Sequence, residues 1–81
     1  MQYRLRFEKR SRKDLQKMEK MDRGRVIARI EKMTTDLAGD IKKLTVHHPR
    51  YRLRVGNFRV LFDIEGDEIV IHTIKDRREA Y

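Results

Sequence analysis

The sequence predicts an α+β domain, ordered β-α-α-β-β-β, in which a two-helix hairpin packs on one face of a small antiparallel sheet. Three observations predict it. Apolar residues alternate with period two at the start of the chain and again after residue 50. Between these stretches they recur at three- and four-residue spacing. A Gly-Asn pair separates two of the alternating runs, the signature of a tight hairpin turn. With 81 residues the chain has room for one domain, spanning residues 1–81.

Tyr3, Leu5 and Phe7 alternate with Arg4, Arg6 and Glu8, as in a strand with one buried face. Ser11 is a good N-cap and Asp14 completes a capping-box pattern, so a helix is expected from there, with Leu15, Met18 and Met21 as its apolar stripe. Asp22 is the expected cap of a second helix carrying Val26, Ile27, Ile30, Met33, Thr34, Leu37 and Ala38. Gly39 is its expected stop. Residues Asp40 to Arg50 read as a loop. Tyr51, Leu53 and Val55 then alternate with arginines, and Phe58, Val60, Phe62 and Ile64 follow the Gly56-Asn57 turn. After a second turn around Gly66, Ile69 to Ile74 form the last strand. Simple alternation puts Ile69 and Ile71 toward the helices and Val70, His72 and Ile74 on the other face.

Charge dominates the composition. Twenty-one Lys and Arg oppose thirteen Asp and Glu, a net +8, which favours anionic partners such as nucleic acid or an acidic protein. There are no cysteines, so neither a disulfide framework nor a thiolate metal site is available. No apolar run approaches the roughly 20 residues that span a bilayer. The N-terminal residues lack the apolar stretch of a signal peptide. The expectation is a cytoplasmic protein without membrane association.

The basic residues are not evenly spread. From Ile41 through Phe62 the chain holds Lys42, Lys43, Arg50, Arg52, Arg54 and Arg59, with His47 and His48, and no acid. A two-residue turn at Gly56-Asn57 sets Arg54 opposite Arg59, and Arg52 shares their face. Like charges directly opposed cost a sheet some tenths of a kcal/mol. They make sense around an anion, and phosphate suits guanidinium because it is gripped bidentately. The other reading is that the arginines pair with Asp63 and Glu79. The tail, Lys75 to Tyr81, adds Arg77, Arg78 and an aromatic ring able to stack on a base or move a proton. His47 and His48 are adjacent but have no further ligands at metal-site spacing, so no metal or other cofactor is expected.

The stretch YRLRVGNFRVLF from Tyr51 to Phe62 and the ending KDRREAY from Lys75 to Tyr81 resemble the RelE/ParE toxin superfamily, as does the order of elements. The tail favours the RelE branch. That resemblance implies a RelE-like fold and the toxin of a toxin–antitoxin system, restrained by a cognate antitoxin. It further implies a metal-independent endoribonuclease that cuts messenger RNA in the ribosomal A site, by attack of a ribose 2′-oxygen on the adjacent phosphate. By resemblance Arg59 and Arg77 stabilise the phosphate, while Tyr81 stacks on the nucleotide or acts as base; Arg54, opposite Arg59, is expected to add to the charge stabilisation at the catalytic site. Arg52, Arg50, Lys43 and Arg78 are expected to bind RNA. Arg52 and Arg54 stand where relatives often carry lysine, and arginine stays protonated, so neither is a convincing base. His72 and His48 are the remaining candidates for proton transfer. Two other functions stay open: a ParE-like toxin that binds a topoisomerase, and a non-catalytic basic module that binds RNA or protein.

Overall fold

The computed structural model describes residues 2–44 and 46–77. The described residues form five strands and two helices: β1 (Arg4–Phe7), α1 (Lys9–Lys17), α2 (Lys20–Asp36), β2 (Asp40–Lys43), β3 (Tyr51–Val55), β4 (Phe58–Glu65) and β5 (Glu68–Asp76). The sheet order is β1-β5-β4-β3-β2. The last four strands pair antiparallel, whereas β1 runs parallel to β5, so the sheet is mixed. The α+β class and the helix hairpin on one face stand as expected. Strand β2, inside the expected loop, is an addition: four residues on the sheet edge, pairing Lys42 with Arg52 and Asp40 with Arg54.

Both helices begin earlier than their expected caps. The chain turns into α1 at Glu8, whose backbone is extended, and the buried Ser11 hydroxyl donates to the Glu8 carbonyl at 2.7 Å instead of capping the first turn. Helix α2 starts at Lys20 after Glu19, leaving Asp22 in its first turn, where a carboxylate favours the helix dipole. The helix ends at Leu37 in the left-handed region, with its amide donating to the Met33 carbonyl.

The core lies between the helices and one sheet face. Val26, Ile30 and Met33 of α2 meet Leu53, Val60, Phe62, Ile69 and Ile71, all essentially without solvent contact. Each such side chain contributes about 1.5–3 kcal/mol by burial. Tyr51 stacks on Phe62, ring centroids 5.6 Å apart. Met21, expected in the stripe of the first helix, is 80% exposed because it falls in α2 on the solvent side.

A bulge corrects the register of β5. Leu61 pairs with Thr73 but Phe62 pairs with Ile71, so His72 is the extra residue. Beyond it the side-chain parity flips. Ile74, expected on the open face, lies opposite Val60 in the core, and Lys75 lies opposite Arg59 on the open face.

Where β1 stops, α1 takes over the edge of β5. The Glu8 amide donates to the Ile71 carbonyl, and the Asp14 carboxylate accepts the Ile74 amide at 2.9 Å. A backbone donor that strand pairing leaves free is thereby satisfied. No helix among the described residues is long and apolar enough to cross a membrane.

Candidate nucleic-acid interface

The helices leave the other sheet face uncovered. Register places Asp40, Arg54, Arg59 and Lys75 in one row across four strands, and Lys42, Arg52, Leu61 and Thr73 in the next. The first turn residue, Gly56, has φ +57°, which glycine adopts without penalty and which keeps Arg54 and Arg59 in register.

Five of these cations, Lys42, Arg52, Arg54, Arg59 and Lys75, line a shallow concavity of about 420 Å3, with Leu44 and Leu61 as its apolar floor and wall. Arg52 lies 3.6 Å from Asp40, an open and weak pairing. Among the described residues no carboxylate comes within ion-pair distance of Arg54 or Arg59. The reading in which Asp63 neutralises them does not hold. Glu79 lies outside the described residues.

Asp63 serves a different purpose. Almost fully buried on the open face, it accepts the Arg50 amide at 2.9 Å and the Arg50 Nε at 3.3 Å, and its other oxygen lies 3.0 Å from His48 Nδ1. Burial alone would raise its carboxyl pKa. Hydrogen bonds from the Arg50 backbone, the His48 ring and the Arg50 guanidinium outweigh that and hold it below the ordinary value. The Leu44 amide donates to the Arg50 carbonyl and closes the base of the same loop. Arg50 and His48, expected to bind substrate and transfer protons, are therefore engaged in pinning the β2–β3 connection.

The other expected residues divide as follows. Arg54, Arg59 and Arg52 come together. Arg77 begins the tail, and its amide donates to the Asn57 carbonyl at 2.7 Å, which fixes it beside the β3–β4 turn. Lys43 pairs with Tyr51 and so lies on the opposite face from the arginines; Lys42 takes its place. His72 stands at the bulge with Nδ1 2.6 Å from Thr73 Oγ1 and is not part of the concavity. Arg78 and Tyr81 lie outside the described residues.

Three residues at the site were not assigned to it from the sequence, although Lys42 was counted in the basic stretch. Lys42 and Lys75 line the concavity, and the Arg25 guanidinium of α2 reaches the hairpin tip, 3.8 Å from where a Cβ on Gly56 would stand. A second concavity, of about 370 Å3 between α1, α2 and β5, has the opposite character, with Asp14, Glu19, Asp22 and Asp76 outnumbering Arg10 and Lys17. An anionic ligand is thus directed to the sheet face. Among the described residues no three His, Asp or Glu side chains converge as a metal site.

Fold and site together define a small α+β protein whose uncovered sheet face presents a ring of cations around a β-hairpin. The chain belongs to the RelE/ParE toxin superfamily: residues 5–81 match the family described as the ParE toxin of type II toxin–antitoxin systems. A 46-residue stretch is 41% identical to Toxin RelE3 of Methanocaldococcus jannaschii. That stretch is 57% of this chain and 52% of the relative, so the match spans about half the relative's length. The toxin chain folds are alike as well. The RelB–RelE antitoxin–toxin complex from Methanococcus jannaschii matches with TM-score 0.76 and 33% identity, covering 93% of both chains. The RelE–RelB complex from Pyrococcus horikoshii OT3 matches with TM-score 0.80 and 26% identity, covering 95% of this chain and 97% of that one.

Proposed function

We propose that the chain is the toxin of a type II toxin–antitoxin pair and an endoribonuclease that cuts messenger RNA in the ribosomal A site. The observation that carries this reading is the opposed pair Arg54 and Arg59, set in a cationic concavity with no carboxylate partner among the described residues. Two guanidiniums held together at a cost to the sheet fit a site for a phosphodiester that gains negative charge as it reacts.

In the proposed reaction the ribose 2′-oxygen attacks the adjacent phosphorus, the bond to the 5′-oxygen breaks, and a cyclic phosphate and a 5′-hydroxyl result. Arg54 and Arg59 bind the non-bridging oxygens and stabilise the crowded intermediate. Arg77, anchored at the turn, approaches from the tail side, and Arg52 with Arg25 guides the flanking phosphates. Tyr81 and Arg78 act from the tail by stacking and by phosphate binding. So few elements surround the concavity that a folded partner must orient the strand, and the ribosome does so by proximity. The antitoxin reading draws on the similar RelE structures, which are complexes with RelB. Here Leu44, beside the cations, and Val46, two residues on, are both exposed and offer apolar area for such a partner to cover.

Purified protein incubated with translating ribosomes is expected to cut messenger RNA, and to do so far less on free RNA. Loss of cleavage in Arg59→Ala supports the assignment; equal cleavage by the variant overturns it. A second reading, a topoisomerase-binding toxin, is favoured by the ParE description of the family. Inhibition of gyrase supercoiling without any ribosomal cleavage would select it.

A further inference from the structure

The arginines cannot be the groups that move protons in this reaction. Arginine stays protonated under all ordinary conditions, and the two leucines in the concavity carry no acid or base. The described histidines do not fill the gap. His48 is engaged with Asp63, His72 has Nδ1 against Thr73, and none of the three, His47 included, lines the concavity. Among its described residues, two can both give up and accept a proton: Lys42 and Lys75.

Their placement fits opposite roles. Lys75 on β5 stands directly across from Arg59, while Lys42 on β2 stands directly across from Arg52. Arg54 and Arg59 lie on the two strands between them. Strands are about 4.8 Å apart and each residue rises about 3.3 Å, so the two lysine backbones lie about 14 Å apart across the sheet and about 7 Å apart along it, roughly 16 Å in all, with the arginines between them. A phosphoryl group held by the arginines therefore has an amine on either side, as in-line displacement requires.

We propose that Lys75 and Lys42 are the catalytic proton-transfer residues, Lys75 as base and Lys42 as acid; this rests on the ribonuclease reading above. The neutral Lys75 amine takes the 2′-hydroxyl proton as the 2′-oxygen forms its bond to phosphorus. The bond from phosphorus to the 5′-oxygen breaks, and that oxygen takes a proton from the Lys42 ammonium. Lys75 ends as ammonium and Lys42 as amine, and exchange with water resets both through the solvent-open side of the site. The charged groups facing Lys75 are Arg59 and Arg54 on the neighbouring strands and Lys42 and Arg52 across the concavity; Asp40 closes the row at the far edge.

The test is single-turnover cleavage on translating ribosomes across pH, with binding measured separately. Lys75→Arg keeps the charge but cannot deprotonate. It is expected to bind ribosomes as wild type does, to lose on the order of 10²–10⁴ in rate, and to change the shape of the pH–rate profile. Lys75→Ala is expected to regain part of its rate when ethylamine is added. Lys42→Arg is expected to lower the rate as well while leaving ribosome binding intact. Wild-type rate and pH profile in Lys75→Arg overturn the assignment and leave the ribonuclease reading standing. No cleavage by the wild type overturns both.

Discussion

Arg54 and Arg59 face each other across β3 and β4, one pair in from the Gly56–Asn57 turn, and no described carboxylate neutralises either. Their proximity works against the sheet and for an anion. Replacing Arg59 with Ala is expected to leave thermal stability unchanged or to raise it by some tenths of a kcal/mol. Cleavage should fall by on the order of 10²–10³. Thermal unfolding and ribosomal cleavage on one preparation check both signs. A large loss of stability would mean that the pair supports the fold instead.

Asp63 has a pH signature. Its folded pKa is depressed, so its stabilising contribution is fully present above its unfolded pKa and is lost as pH falls through the lower folded value. The stability difference between wild type and Asp63→Asn should be constant above about pH 5 and should shrink below about pH 4. Denaturant melts at stepped pH measure it. A difference that grows on acidification would contradict the clasp.

Asp14 ties α1 to the end of β5 through the Ile74 amide. Asp14→Ala is expected to cost about 1–3 kcal/mol, the desolvation penalty of an orphaned backbone donor. Hydrogen exchange at Ile74 should accelerate more than exchange at Ile69. Cleavage should drop with it, because Lys75 and the start of the tail follow that residue.

In the core, Phe62→Ala should cost about 3–5 kcal/mol, since the ring is fully buried and stacked on Tyr51. Met21→Ala should change stability by no more than about 0.5 kcal/mol, as expected for an exposed position. Chemical denaturation of the two variants side by side separates buried from solvent-facing methionine and aromatic sites.

The β3–β4 hairpin was legible because Gly56-Asn57 admits few turn types and the flanking alternation fixes which residues oppose. Arg54 opposite Arg59 followed directly. The bulge was not legible: nothing at Leu61, Phe62 or His72 marks it, since no glycine or proline stands there. Missing it put Ile74 outside the core, and ending the strand at Ile74 left Lys75 in the tail. Strand β2 escaped notice because its four residues, three of them charged, sit on an edge and show no buried alternation. Lys42 was overlooked with it, and Lys43 took its place in the expected site. The helix starts were misplaced because Ser11 and Asp22 have good capping chemistry, while the chain bends instead at Glu8 and Glu19, which make no side-chain cap.

The parallel pairing of β1 with β5 brings together residues as far apart as Arg4 and Glu68. During synthesis the first strand has no sheet neighbour until the last one emerges. Contacts of such long range close late and slowly. Lys75 and Arg77, on and just beyond β5, are made no earlier than that strand. The nascent chain consequently has no assembled site until β5 has been made, so the ribosome that makes the protein releases both helices and four strands before a competent site can form.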